Sequence, residues 1–206
     1  MKIGKMVPAS LLLALVGISC LLFVNSPWGV GVTHDSIFYL SSAENLVKHS
    51  GLQWAGSDGS LHPLTHFPPL YPLVIAFIMG FGASAARAAT WFAAILLGLN
   101  IFTSGCLVYH FSRSKVLSVL AALTLAASVG FVDLHLVALS EPLFIWLILC
   151  SIGLLGVYFV KPSLKLLLAS ALLAAISVLT RYVGMAVIAT GFLAIAVLYV
   201  VACDRL

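Results

Sequence analysis

The sequence T-H-D-S-I-F-Y-L-S-S-A-E-N-L, residues 33–46, organises the rest of the chain. It lies in a polar loop between two long apolar segments and carries two of the six acidic residues, Asp35 and Glu44. From Ser36 onward, apolar residues recur at roughly helical spacing, which predicts a short amphipathic helix along a membrane surface. Thr33, Asp35 and Ser36 are candidate N-caps, because a short oxygen-bearing side chain can accept a free N–H of the first turn. Asp35 is therefore either a helix cap or a functional carboxylate.

The composition indicates an integral membrane protein. Of the 206 residues, 63% are hydrophobic and 8% are charged, whereas a soluble domain carries about 25% charged residues. The apolar runs approach the length of about 20 residues that a helix needs to cross a bilayer. Because strand-like alternation is absent, we predict an all-α transmembrane bundle, a single domain over residues 1–206, rather than a barrel. The net charge of +4 comes from dispersed bases, which gives no indication of a nucleic-acid partner.

The order of charges predicts the orientation of the first segment. Residues 7–24 are apolar and follow Lys2 and Lys5. No clean cleavage site ends the run, so we predict an uncleaved first span with a cytoplasmic N-terminus. Residues 25–68 then form an outer loop, which is long enough to favour a functional role.

The chain contains about six to seven membrane segments, and the topology depends on residues 69–112. Strict alternation of seven spans would place Glu141 in the cytoplasm and four bases outside, against the positive-inside bias. If one segment does not cross fully, Glu141 and Arg181 face outward with Asp35, and we prefer this arrangement. The four bases concerned are Arg113, Lys115, Lys161 and Lys165.

Two other sets of residues have ordinary interpretations. The four cysteines lie in or beside apolar segments, and no two of them are spaced as C-x-x-C. They are therefore interpreted as small core residues. His110 and His135 are interpreted as polar residues at the membrane interface.

Four patches together resemble a known family. They are D-S-I-F-Y-L-S-S-A-E-N-L from Asp35, H-F-P-P-L-Y-P from His66, S-E-P-L-F from Ser140 and T-R-Y-V-G from Thr180. In this order they resemble the N-terminal membrane module of C-type (GT-C) glycosyltransferases. The branch is that of family 39, related to protein O-mannosyltransferases and aminoarabinose transferases. The resemblance implies a multi-pass enzyme of the bacterial inner (plasma) membrane that uses a polyprenyl-phosphate sugar and inverts the anomeric configuration.

The resemblance also implies residue roles. Asp35 matches the acidic residue of the first outer loop, which is the catalytic base. Glu141 matches a second acidic position that shapes the acceptor or metal site, and His66 lies where relatives contact phosphate or metal. Arg181, with the adjacent Tyr182, is the candidate partner of the donor phosphate.

The metal, the partner and the function class stay open. His62 and His66 are four residues apart, so a divalent metal is a candidate cofactor, although Pro63 opposes a regular helix there. Relatives are usually much longer, and we therefore expect a second polypeptide to supply the later donor-binding helices. The alternatives are a non-catalytic truncated or split relative that acts as a membrane scaffold and, with less support, a small transporter.

Overall fold

A computed structural model of the chain describes residues 7–203. The structure is 75% helical, so the predicted all-α class is confirmed. The helices are α1 (Val7–Asn25), α2 (His34–Val47), α3 (Leu70–Met79), α4 (Ala85–Ser112), α5 (Lys115–Ala127), α6 (Val129–Leu136), α7 (Glu141–Val160), α8 (Leu164–Thr180) and α9 (Met185–Cys203), with a 3-10 turn at Tyr182–Gly184. Two short strands, β1 (Gln53–Ala55) and β2 (Leu61–Pro63), lie between α2 and α3. The bases Lys2 and Lys5, which carry the prediction of a cytoplasmic N-terminus, lie outside the described residues.

Two described helices, α4 and α7, are long and apolar enough to cross a membrane. The pair α5 and α6 is bent by 57° at Ser128 and counts as a third candidate if it forms one broken span. The apolar parts of α1, α3, α8 and α9 are shorter. The finer expectation of six to seven membrane segments therefore stays a prediction.

Helix α4 is the centre of the bundle, where it packs against α1, α5 and α7. Its contact with α1 depends on small residues. A Cβ at Gly98 would lie 2.5 Å from Ile18 Cδ1, and one at Gly105 would lie 2.6 Å from Ser10 Oγ. Such small residues let helix backbones approach closely, and this packing is a main source of helix association in lipid.

Helices α7 and α8 form an antiparallel pair joined by side-chain hydrogen bonds. The Ser151 hydroxyl donates to the Ser170 carbonyl at 2.9 Å, and the Ser170 hydroxyl donates to the Ser151 carbonyl at 2.8 Å. Both serines are buried. Because an unpaired hydroxyl is costly in an apolar interior, this reciprocal pair fixes the register of the two helices.

A buried polar contact joins α4 to α6 and α7. Asn100 Nδ2 donates to the Pro142 carbonyl at 3.1 Å and lies 3.4 Å from His135 Nε2. His135 is fully buried inside the bundle, and its predicted position at the level of the membrane interface stays a prediction. The hydrogen bonds to Asn100 and to the Phe131 carbonyl satisfy the ring in the interior.

The loop after α2 contains a small β-hairpin that the sequence interpretation did not include. Strands β1 and β2 pair antiparallel, with Trp54 opposite His62. The connection contains Asp58 and Gly59, and Gly59 adopts a φ of +79°, a conformation that glycine accepts without strain. Asn45 of α2 donates to the Gln53 carbonyl at 2.9 Å, which fastens the hairpin to the helix.

Residues 69–112, on which the topology depends, are divided between α3 and α4. Helix α3 has ten residues, about half the length that a span requires. Arg87 lies in the first turn of α4, where Ser84 Oγ accepts its backbone N–H. Glycines at 80 and 82 end the preceding run, and Gly82 has a φ of +92°. The break between the two apolar helices α3 and α4 therefore lies before Arg87.

Candidate functional site

A short backbone pairing brings the start of α2 close to the start of α7. Gly31 forms an isolated parallel bridge with Val137. Its N–H donates to the Leu136 carbonyl at 2.7 Å, and its carbonyl accepts from Ala138 N–H at 3.0 Å. Because Gly31 precedes Asp35 by a few residues and Ala138 precedes Glu141 similarly, this pairing brings two distant polar patches into the same region.

Four side chains meet there, and we call them the Tyr39–Arg181 cluster: Tyr39, Ser140, Glu141 and Arg181. The Tyr39 hydroxyl lies 3.1 Å from Ser140 Oγ, to which Arg181 Nη1 donates at 3.3 Å. Arg181 Nη1 also lies 2.6 Å from Glu141 Oε1. The cluster therefore links α2, the start of α7 and the end of α8 through polar contacts.

The cluster is partly shielded from water. Tyr39 and Ser140 are buried, and the side chains of Arg181 and Glu141 are 33% and 26% exposed. Burial raises the pKa of Tyr39 above its ordinary value of 10.0; the charges of Glu141 and Asp35 act in the same direction. The hydrogen bond with Ser140 and the positive charge of Arg181 oppose this rise. The Tyr39 hydroxyl therefore stays protonated at neutral pH and is influenced by both acids.

Asp35 does not cap its helix. The N-cap is Thr33, whose N–H donates to Ser36 Oγ at 3.0 Å. Asp35 follows in the first turn with its side chain 40% exposed, and its recorded ion-pair contact is with His34 Nδ1 at 3.8 Å. The carboxylate gains from the positive end of the helix dipole, but its oxygens are not committed to the backbone. The structure therefore excludes the role of N-cap for Asp35, and its functional role stays a prediction.

Glu141 and Arg181 occupy opposite kinds of helix terminus. Glu141 is the first residue of α7, followed by Pro142, where a carboxylate complements the helix dipole. Arg181 is the C-cap of α8, where a cation is favoured. Glu141 Oε2 is buried and has no hydrogen-bond partner among the described residues. Each member of the pair therefore lies at the helix terminus that favours its charge. Glu141 Oε2 can still accept a hydrogen bond.

Tyr182 follows Arg181 and is 58% exposed in the 3-10 turn. Both recorded contacts of the Arg181 guanidinium involve Nη1, within residues 7–203. The other N–H groups of Arg181 and the Tyr182 hydroxyl are therefore the donors that an incoming anion could use.

The two predicted histidines lie in different local settings. His62 Nε2 lies 2.7 Å from Ser60 Oγ, and the Trp54 ring packs against its imidazole at 4.9 Å between centroids. His66 makes an edge contact with Phe67 at 5.2 Å. The Ser60 hydroxyl also donates to Asp58, which lowers the pKa of that carboxyl. His62 thus belongs to the hairpin, while His66 lies next to an aromatic ring that contacts Tyr39.

A metal site is not formed by the described side chains. Within residues 7–203, no group of three or more His, Cys, Asp or Glu residues is arranged to hold a metal ion. The candidate divalent metal therefore lacks a set of ligands in this part of the chain.

Tyr39 and Ser140 are the two members of the cluster that sequence reasoning did not select as site residues. Tyr39 counted only as an apolar position of the amphipathic helix, and Ser140 only as the first letter of S-E-P-L-F. A tyrosine on the buried face of a polar loop helix is a usable signal, because a buried phenol normally requires a hydrogen-bond partner. Ser140 had no such signal, since its role depends on the distant Tyr39 and Arg181.

Comparison with known proteins adds no family to these observations. No protein-family model matches the chain, and no curated protein or solved structure is similar to it.

Proposed function

We propose that the chain is a membrane glycosyltransferase module of the GT-C type. It would transfer a sugar from a polyprenyl-phosphate donor to an acceptor on the outer face of the membrane. The observation that carries the proposal is the position of Asp35: a partly exposed carboxylate in the first turn of α2, the helix whose Tyr39 hydroxyl lies 3.1 Å from Ser140 Oγ in the Tyr39–Arg181 cluster. The resemblance of four sequence patches supports the same class.

The proposed reaction uses Asp35 as general base. Its carboxylate takes the proton from an acceptor hydroxyl or amine as the acceptor atom forms a bond to the anomeric carbon. The bond between that carbon and the phosphate oxygen breaks, and the polyprenyl phosphate leaves with the electron pair. Attack opposite the leaving group inverts the anomeric configuration. Arg181 supplies positive charge for the departing phosphate, with Tyr182 as a neighbouring donor.

Glu141 holds Arg181 in place in this proposal. Its short contact with Nη1 fixes one edge of the guanidinium. A phosphate would approach the other edge, because Glu141 already neutralises the first. We also propose that Glu141 or His66 contacts the acceptor.

The proposed topology has six crossings. The spans are α1, α4, the bent pair α5 and α6, α7, α8 and α9, and α3 does not cross because it has only ten residues. This order puts Asp35, Glu141 and Arg181 at one end of the bundle. The bases at the ends of α4 and α7 then lie at the other end, which the positive-inside bias assigns to the cytoplasm of a bacterial inner membrane.

The proposal is tested with the purified chain in proteoliposomes that contain a radiolabelled polyprenyl-phosphate sugar. The readout is loss of label from the lipid donor, because this does not require the acceptor to be known. We expect time-dependent release that depends on the protein and is greater with hydroxyl- or amine-bearing acceptors. Donor turnover equal to that of empty liposomes, both for the folded chain alone and for its complex with any co-purifying polypeptide, would contradict the proposal.

A second candidate is a non-catalytic membrane scaffold that assembles with another polypeptide. The specific observation in its favour is that Glu141 already pairs with the best-placed cation, Arg181. Recovery of activity only when a co-purifying polypeptide is present would identify a split enzyme. A stable complex without any donor turnover would favour the scaffold.

A further inference from the structure

An apolar cavity lies between α7, α8 and α9. Its volume is about 570 Å³, which is within the range of small-molecule sites. No charged residue lines it, and none of the residues assigned to the proposed reaction belongs to its lining. Small residues of all three helices leave this space open: Gly156, Ala171, Ala174, Ala186, Gly191 and Ala194.

The side chains that line the cavity offer no free hydrogen-bond donor. Among the described lining residues, the hydroxyl groups are those of Ser151, Ser170 and Thr190. The two serine hydroxyls donate to each other's backbone carbonyls, and the Thr190 hydroxyl donates to the Ala186 carbonyl at 2.7 Å. A polar ligand would lose its hydration here without gaining a partner, so the cavity favours an apolar ligand.

The size of the cavity distinguishes between two kinds of apolar ligand. A helix with its side chains is about 10–12 Å across, so two turns of it occupy on the order of 1,000 Å³. The cavity, at about 570 Å³, is too small to enclose such a helix. It is also open at its edge, because Ile152 and Phe192 of the lining are 58% and 76% exposed. A single hydrocarbon chain therefore fits the cavity and can enter it from the side.

The connection between α8 and α9 carries a cation at one end of the cavity. Arg181 is the C-cap of α8, and Ala186, the second residue of α9, lines the cavity. Tyr182 and Val183 lie between them, and each is 58% exposed. These two side chains form an exposed, largely apolar surface that leads from Arg181 to the cavity. A phosphate at Arg181 and an apolar chain in the cavity therefore suit the same lipid molecule.

We propose that the cavity between α7, α8 and α9 holds the hydrocarbon chain of a lipid phosphate whose phosphate group contacts Arg181. This lipid is the polyprenyl-phosphate donor, an identity that rests on the proposed function. The cavity contributes affinity through buried apolar surface, at roughly fourfold for each buried methylene group. Arg181 contributes the charge that distinguishes a lipid phosphate from the corresponding alcohol.

The test measures binding of a radiolabelled polyprenyl phosphate, which carries no sugar, to the full chain in neutral detergent micelles. Ala171→Leu extends a side chain into the cavity from α8. We expect its affinity to be about tenfold weaker, because the leucine displaces methylene groups of the ligand. Ala175→Leu is the matched control: Ala175 is also an exposed alanine of α8, but it does not line the cavity. Its affinity should stay within about twofold of wild type.

Two further variants separate the chain from the charge and guard against misfolding. Gly191→Leu fills the cavity from α9 and should weaken binding as Ala171→Leu does. Arg181→Gln should bind polyprenyl phosphate about tenfold more weakly, since a charged hydrogen bond is lost. The same variant should bind the phosphate-free polyprenol within about twofold of wild type, which also shows that it is folded.

The assay contains no sugar, so its result is distinct from that of the transfer assay. Binding that Ala171→Leu weakens, in a chain without donor turnover, would support this cavity and contradict only the proposed reaction. Unchanged affinity in both Ala171→Leu and Gly191→Leu would overturn the inference. Phosphatidic acid that displaces the label as well as unlabelled polyprenyl phosphate would overturn it too, because the cavity would then not select the polyprenyl chain.

Discussion

Arg181 Nη1 lies 2.6 Å from Glu141 Oε1, and this contact joins the C-cap of α8 to the first residue of α7. The contact is only partly shielded, and each partner also complements a helix dipole. The pair therefore has two roles: it closes one end of the α7–α8 hairpin, and it holds a guanidinium beside the Tyr39 hydroxyl.

Removal of either member should destabilise the bundle. Glu141→Gln and Arg181→Gln should each lower the free energy of unfolding, and the double variant should lose less than their sum. We expect a coupling energy of about 1–2 kcal/mol, because the pair is partly buried and hydrogen-bonded. The coupling energy is obtained from free energies of unfolding measured with SDS in mixed micelles. Lys165→Gln is the exposed control. A coupling energy near zero would show that the pair is a surface contact.

Tyr39 should ionise at a higher pH than an ordinary tyrosine. Its pKa is raised above 10.0, mainly by burial, so the folded state prefers the neutral phenol. The stability that this provides is fully present below the unfolded-state pKa and is lost as the pH rises through the folded-state pKa. The phenolate difference spectrum between wild type and Tyr39→Phe measures the titration. Ionisation of Tyr39 in the folded protein at or below pH 10 would contradict the described environment.

The 3-10 turn that follows Arg181 should not tolerate a residue larger than glycine at position 184. A Cβ at Gly184 would lie 2.7 Å from the Val178 backbone nitrogen, which cannot move as a flexible side chain can. We expect Gly184→Ala to cost about 1–3 kcal/mol in unfolding free energy. Gly130→Ala is the matched control, since nothing lies within 4 Å of its added Cβ. Unfolding by SDS in mixed micelles measures both variants, and equal stabilities would show that the close approach at Gly184 is absent.

The hairpin and the α4–α5 turn should lie on opposite sides of the membrane. Ser57 belongs to the exposed hairpin connection, and Ser114 is the N-cap of α5. With native cysteines replaced, Ser57→Cys should react with an impermeant maleimide from outside and Ser114→Cys only after permeabilisation. Labelling of Ser57→Cys from the cytoplasmic side alone would place Asp35 in the wrong compartment.

The sequence was informative where a physical signal is local. The apolar content predicted a helical bundle, and the helical spacing after Ser36 predicted α2, which the structure extends over His34–Val47. The hairpin also had a local signal, Asp58-Gly59, which is a strong turn pair between short strands.

The remaining features depend on contacts between distant residues. Asn100 and His135 form one buried polar contact, but in the sequence Asn100 is an isolated polar residue within an apolar run and His135 one beside another. The hydrogen bond between Tyr39 and Ser140 likewise depends on the pairing of Gly31 with Val137. Helix periodicity contains no information on these approaches, so the cluster could not be assembled from the sequence.

The catalytic role of Asp35 is the central claim, and it is tested by transfer from a polyprenyl-phosphate sugar with purified Asp35→Asn, Asp35→Ala and Thr33→Ala. Asp35→Asn keeps the side-chain shape but removes the base, so transfer should fall about a hundred- to ten-thousand-fold while the melting temperature stays near wild type. Thr33→Ala removes the N-cap, which should cost about 1 kcal/mol of stability and leave transfer largely intact. Near-normal transfer by Asp35→Asn would contradict the account.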